Sequence, residues 1–298
     1  MTDILLSLLN IATLVFAVSS MLSVGFSYTL RELIEPLRNT RLVLGALVAN
    51  FMLAPLLAYA ITAFLSLGEA REIGLLLVAT AAGAPFLIKL TQAADGDLAL
   101  AAGLLVLLVV LTIGYMPIVV PLIAPEAEVS ALSIAMPLVL TMLLPLGIGL
   151  FVDARFEGLA DRLQPIMNKV SSAALVVLLV TTVLTNGGRL LNVLGTGAIL
   201  AALLFIAGAF SIGYLLGMTG RGTREELGLA TAQRNIAAAT VVATQSFGDP
   251  DTLVMVVVTS LVTMIILFPL AGRLRKRQEK RDAARSQRAT ARRKEPLV

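Results

Sequence analysis

The chain has 298 residues, 58% of them hydrophobic and 14% charged, and a mean hydropathy of +0.92 that a water-soluble domain of this length would not sustain. It reads as an all-α polytopic membrane protein. Cysteine, histidine and tryptophan are absent, which excludes disulfides, thiolate or imidazole metal sites, and catalysis by a Cys nucleophile or a His base; neither an enzyme nor a metal centre is expected.

Nine apolar runs of spanning length fall at about 4–28, 41–65, 73–92, 97–123, 130–152, 164–186, 190–218, 224–246 and 251–271. The first follows Met1-Thr2-Asp3 without a basic n-region or a nearby small-residue cleavage site, so it reads as a retained span. The third contains Gly83-Ala84-Pro85. Proline removes an N–H and clashes with the preceding turn, and glycine loosens the helix further. That triplet is either a simple kink or a true break, in which case a half-helix N-terminus turns its partial positive charge toward the membrane centre. Lys89, two turns from its helix end, can snorkel to the interface, and Asp97 and Asp251 suit helix N-caps.

The eighth run holds Ala230-Thr231-Ala232-Gln233-Arg234-Asn235, with Arg224 at one end and Phe247 at the other. At 1.5 Å per residue Arg234 lies roughly 15 Å from the nearer end, close to the bilayer centre and too deep to snorkel. Two roles fit. Arg234 is a structural cation that caps carbonyls of broken helices, or it lines a cavity and offers its planar fork to a carboxylate, sulfonate or phosphate. This run lacks proline, so a break here would rest on Gln233, Arg234 and Asn235. The candidate substrate-binding set is Arg234, Asn235, Gln233, Thr231, Pro85, Gly83 and Thr112. Thr80, Thr91, Tyr115, Asn50, Asn186, Thr240 and Thr244 are further intramembrane polar groups, which line a polar path or bond nearby backbone.

Displacing the sequence by 152 residues superposes Gly96-Asp97 on Gly248-Asp249 and Pro117 on Pro269; one more residue brings Arg71-Glu72 onto Arg224-Glu225. Runs three and four therefore resemble runs eight and nine with opposite topology, an inverted repeat with units of about 1–123 and 130–271. Twenty of the 23 Lys/Arg fall on the loop ends shared with the C-terminus and only Arg71 and Arg189 on the other set, which puts the N-terminus outside and the C-terminus in the cytoplasm of a plasma or inner membrane. From Arg273 onward eleven Lys/Arg face Glu279, Asp282 and Glu295, so residues 272–298 read as a basic, disordered tail against anionic lipid headgroups. This placement of the charge excludes a nucleic-acid partner.

With these spans and this topology, the segments Ala81-Ala82-Gly83-Ala84-Pro85-Phe86 through Gly96-Asp97 and Gly228-Leu229-Ala230-Thr231-Ala232-Gln233-Arg234-Asn235 resemble the bile acid:sodium symporter superfamily. The resemblance covers residues 1–271. It implies a panel of helices 1, 5 and 6, and a core of helices 2, 4, 7 and 9 around two crossing, interrupted helices, 3 and 8, with alternating access. It also implies sodium sites that this chain has largely lost. Ala230 and Arg234 stand where sodium-coupled members carry Glu and Gln; Leu87 and Ile88 replace a Ser-Asn pair; Leu105, Leu107 and Val109 replace hydroxyls. Only Asn235 carries over.

The expected function is therefore secondary transport of a small organic anion, with Arg234 as a built-in cation or anion contact and with no cofactor, sodium included. The alternatives are a sodium-coupled symporter with relocated sites, and a non-transporting sensor or channel.

Overall fold

A computed structural model describes residues 2–123, 130–193, 195–217, 223–247 and 249–294, and all of its regular elements are helical. In chain order these are α1 (Thr2–Gly25), α2 (Leu30–Ile34) with a 3₁₀ turn Glu35–Arg38, α3 (Thr40–Val48), a π segment Ala49–Leu53, and α4 (Ala54–Phe64). Next come α5 (Glu69–Thr80), α6 (Phe86–Ala94), α7 (Leu98–Ile123), α8 (Ala131–Leu138), a π segment Val139–Leu143 and α9 (Leu144–Arg155). The chain closes with α10 (Glu157–Asn192), α11 (Ala198–Leu216), α12 (Thr223–Ala232), α13 (Ile236–Ser246) and α14 (Pro250–Lys294).

Six helical stretches among the described residues are long and apolar enough to cross a membrane: Ser7–Gly25, Thr40–Phe64, Leu98–Ile123, Ala131–Arg155, Ala198–Leu216 and Pro250–Arg277. The third and eighth expected runs are each divided, α5 with α6 and α12 with α13, so no half reaches spanning length alone. The sixth falls within α10, a 36-residue helix that also takes in the charged stretch from Glu157.

The surface shows which solvent the fold is built for. Along α3 and α4 the inward stripe is Ala46, Ala49, Ala54 and Ala58, all fully buried, while Leu44, Met52, Leu56 and Tyr59 point outward and Phe64 is 89% exposed. Small residues inside let helix backbones approach, and large apolar residues outside are tolerable only against lipid. α1 packs along α10 and α9, α11 along α12 and α4, and α5 against α14.

Local chemistry sets several boundaries. Asp97 caps α7 by accepting from Leu100 N at 3.0 Å, as expected. For α14 the expected cap Asp251 is replaced by Asp249, whose carboxylate accepts from Asp251 N at 2.8 Å; Asp251 is thereby free to pair with Arg71 at 2.5 Å. Thr29 and Glu32 form a reciprocal capping box at α2, and the backbone N–H of Thr29 holds the Glu32 carboxyl below its ordinary pKa. At the C-terminal end α14 runs on to Lys294. Ala, Arg, Lys, Gln and Glu dominate that stretch and favour helix, and Arg275 pairs with Glu279 one turn on at 3.0 Å.

Candidate functional site

Two broken helices meet at the centre of the fold. α5 stops at Thr80, and Ala81 leaves the helical region with φ −88° and ψ 89°. Gly83 follows with φ +74°, and Pro85 opens α6. A Cβ on Gly83 would lie 2.5 Å from Val109 N, so both the left-handed backbone and the closeness of α7 demand glycine. The Thr112 hydroxyl of α7 pins this break from both sides, accepting from Ala82 N at 3.2 Å and donating to Ala82 O at 3.0 Å. On the other chain segment α12 stops at Ala232 and α13 restarts at Ile236, with Asn235 as its N-cap accepting from Ala238 N at 3.1 Å. The two breaks bond each other directly: Asn235 N donates to Ala81 O at 2.8 Å and Asn235 Nδ2 to Gly83 O at 2.9 Å.

Arg234 is wholly buried beside this crossing. A guanidinium has five N–H donors, and here five protein oxygens receive them. Nε donates to Val78 O at 3.2 Å; Nη1 donates to Asn50 Oδ1 at 2.7 Å and Thr231 O at 3.3 Å; Nη2 donates to Asn50 O at 3.4 Å and to Ala79 O. Val78, Ala79 and Thr231 lie in the last turns of α5 and α12, where unpaired carbonyls carry the negative end of each helix dipole. Asn50 O is available because Pro55 has no N–H to give back to the π segment; the neighbouring Phe51 O takes the Tyr115 hydroxyl at 2.8 Å for the same reason. In this conformation each N–H of the fork faces a protein oxygen. Half-helix C-termini, rather than the N-termini expected from Gly83-Pro85, converge on the cation.

The remaining candidates gather at the same crossing. Thr231 donates to Leu227 O at 2.8 Å and accepts from Asn50 Nδ2 at 3.3 Å. Gln233 donates to Arg234 O at 3.3 Å, while its Oε1 is buried without a hydrogen-bond partner. Thr80 bonds Leu77 O of its own helix at 3.0 Å. Asn186 and Thr244 lie outside the residues whose side chains are described. Of the seven, Pro85 lines a cavity beside the crossing.

That cavity, about 100 Å³, lies between α1, α6, the start of α7 and α10. Ser20 and Ser23 face it from α1 and Ser27 from the turn that follows, Lys89 and Gln92 from α6, and Gln164, Asn168 and Ser171 from α10. The Lys89 ammonium turns to α10, donating to Asn168 Oδ1 and to Ser172 Oγ at 3.0 Å. The missed signal was periodicity, since polar residues at 20, 23 and 27 and at 164, 168 and 171 each recur on one helical face inside an apolar run. Glu226 was also missed. It is 1% exposed, accepting from Thr91 Oγ1 at 2.8 Å and Asp97 N at 3.1 Å, and so ties α12 to the α6–α7 turn.

Residues 14–196 match the Sodium Bile acid symporter family. The chain belongs to that family. A probable sodium/metabolite cotransporter BASS1, chloroplastic, from Arabidopsis thaliana is 26% identical over 265 residues, covering 87% of this chain and 66% of the relative. A probable sodium/metabolite cotransporter BASS2, chloroplastic, from Oryza sativa subsp. japonica is 26% identical over 257 residues, covering 83% of this chain and 59% of its own. The chain thus spans less than two thirds of the length of these symporter-family relatives. The family match includes the first break and every wall of the cavity; Arg234 lies beyond it.

Proposed function

We propose that the chain is a secondary transporter of a small organic anion, working by alternating access about the two crossed breaks, with Arg234 as a permanent cation where sodium-coupled relatives recruit an ion. The observation that carries this reading is the cage of five protein oxygens around the guanidinium. Such an oxygen set suits a hard cation, and a fixed charge filling it removes the need for sodium. Asn235, Thr231, Gln233, Gly83 and Thr112 then hold the crossing together, and the substrate path passes the cavity at Pro85.

An inverted repeat is supported by helix boundaries. The ends of α5 and α12, at Thr80 and Ala232, and the starts of α7 and α14, at Leu98 and Pro250, are each 152 residues apart. Asn235 and Gly83, hydrogen-bonded to each other, have that same separation. The grouping of α1, α9 and α10 supports a panel that moves against a core. The charge asymmetry supports a cytoplasmic C-terminus in a plasma or inner membrane.

Uptake of radiolabelled carboxylates into proteoliposomes, with sodium inside, outside, or replaced by potassium, tests this reading. Uptake that is indifferent to sodium is expected; uptake driven by an inward sodium gradient would overturn it. The second outcome is the one suggested by the relatives' names, sodium/metabolite cotransporters.

A further inference from the structure

We infer that Glu226 is a proton-binding site and a pH-sensitive latch: the protonated side chain fastens α12 to the α6–α7 turn, and loss of the proton loosens that tie. The two helices so joined are the halves of the two broken helices that lie on one side of the crossing.

The pocket is built for an acid in either charge state. Oε1 of Glu226 accepts from Asp97 N at 3.1 Å, and Oε2 lies 2.8 Å from Thr91 Oγ1. A hydroxyl both donates and accepts. When the carboxylate is ionised, Thr91 donates to it; when the acid is neutral, its O–H donates to Thr91 while Oε1 still accepts from Asp97 N. Both states therefore fit without rebuilding the pocket. Glu226 is buried, Thr91 wholly so, and Gly96 folds over the carboxylate so closely that a Cβ there would stand 1.8 Å from Oε1.

Charge decides which state holds the pocket shut. The ion pairs among the described residues, Arg71–Asp251 and Arg275–Glu279, leave Glu226 out. Helix α12 packs on α3, α6, α7, α11 and α14, and the cations at this end of those elements are turned elsewhere. Lys89 of α6 bonds α10, Arg41 of α3 and Arg273 of α14 are exposed, and Arg224 of α12 lies 5.6 Å from the Tyr214 ring of α11. The charges that bear on Glu226 are Asp97, which caps α7, and Glu225, its neighbour on α12; both are anions. Asp95 and Asp97 are solvent-exposed, so burial outweighs their screened repulsion. An ionised Glu226 is thus a buried anion with no cation beside it, whereas the neutral acid keeps both hydrogen bonds without that penalty.

The opposite side of the crossing is built differently. There α5 is tied to the start of α14 by Arg71 and Asp251, a carboxylate that has its own cation. On the inverted-repeat reading the two ties are equivalent, and the one at Glu226 alone depends on a proton. On the charge-asymmetry reading that side is cytoplasmic. A proton bound and released in one compartment carries no free energy across the membrane, so it regulates the molecule and does not drive it.

Amide exchange of the purified full chain at pH 6 and pH 8, corrected for intrinsic rates, reads the latch. Protection over residues 91–100 should fall about ten-fold in wild type, the change that release of one proton over one pH unit of that interval gives. Glu226→Gln, a neutral isostere whose amide serves Thr91 and Asp97 N alike, should keep the pH 6 protection at both. Equal pH dependence in wild type and Glu226→Gln overturns the latch. So does wild-type protection that is unchanged between pH 6 and pH 8, a result that needs no variant to fold. Proteoliposomes of one orientation separate regulation from coupling: carboxylate uptake should respond to pH on the α6–α7 side only, and Glu226→Gln should ignore it. Accumulation driven by a proton gradient and lost in Glu226→Gln overturns the regulatory role. PH-dependent protection without any uptake refutes the carrier and leaves the latch standing.

Discussion

Replacing Arg234 by lysine keeps the charge and removes the fork, and so separates a guanidinium that serves the fold from one that serves a substrate. Five oxygens receive the guanidinium N–H groups. An ammonium can satisfy at most three, so at least two of the buried acceptors lose their donor. At about 1–3 kcal/mol for each buried group left unpaired, the cost for two is about 2–6 kcal/mol. The retained charge still faces the C-terminal ends of α5 and α12, so the fold should survive. In chains of roughly this size 1 kcal/mol moves Tm by about 2–4 °C, which makes a fall of roughly 4–24 °C the expectation. Circular dichroism at 222 nm on detergent-purified protein measures it. Carboxylate uptake by the same variant in proteoliposomes should stay within about threefold of wild type. An unchanged Tm together with lost uptake would refute the reasoning, because it would mean that the fork holds the ligand and the carbonyls do without it.

Gly83→Ala should destabilise by about 3 kcal/mol, from a left-handed backbone and a Cβ forced onto Val109 N, and a melting curve indistinguishable from wild type would contradict the placement of that break. Asn235→Ala removes both the α13 cap and the bond to Gly83 O, so about 2–3 kcal/mol should be lost in the same assay. Gly96→Ala would set a Cβ 1.8 Å from Glu226 Oε1 and drive that carboxylate off Thr91 and Asp97 N; it should speed amide exchange at the α6–α7 turn, while unaltered exchange would mean the tie is unimportant. Arg234→Gln alone should leave Tm equal in sodium and potassium, since Ala230 supplies no carboxylate. Adding Ala230→Glu should create a sodium-specific rise, and the absence of one would show that the oxygen cage is not a cation site.

Legibility followed the physics of each signal. Apolar length and Lys/Arg asymmetry mark spans without help from tertiary structure, and Pro85 beside Gly83 marks a break because both act on their own backbone. Arg234 was legible as an exceptional residue because depth in a span is a one-dimensional quantity. Its partners were not, since Val78, Ala79 and Asn50 contribute carbonyl oxygens that every residue type possesses. The partners of Lys89 on α10 were not legible, because distance along the helix to the interface says nothing about which neighbouring helix the side chain meets. Glu226 was overlooked for a similar reason: three residues into its run it reads as an interfacial acid, and only the fold of Gly96-Asp97 over it makes it buried.

On the proposed reading, a cation that is covalently fixed changes what can drive the cycle. A bound sodium ion leaves on one side of the membrane and carries free energy with it; Arg234 stays, and contributes the same electrostatic term to both access states. It can hold the α5 and α12 ends together, but a group equally bonded in two states shifts nothing between them. Whatever biases the cycle must therefore be bound differently in the two states. Lys89 meets that condition structurally, because Asn168 and Ser172 belong to α10 while the lysine belongs to α6 beside the crossing. Movement of the panel against the core would break those two bonds, and an anion on Lys89 could take their place. Net flux would then follow the anion gradient, with exchange of one carboxylate for another faster than net uptake, because an empty Lys89 must part from α10 without a replacement partner. Preloading proteoliposomes with an unlabelled carboxylate should therefore accelerate entry of the labelled one in wild type. Loss of that acceleration in Lys89→Met is the signature expected if this ion–dipole contact sets the barrier, and equal acceleration in both would remove Lys89 from the mechanism.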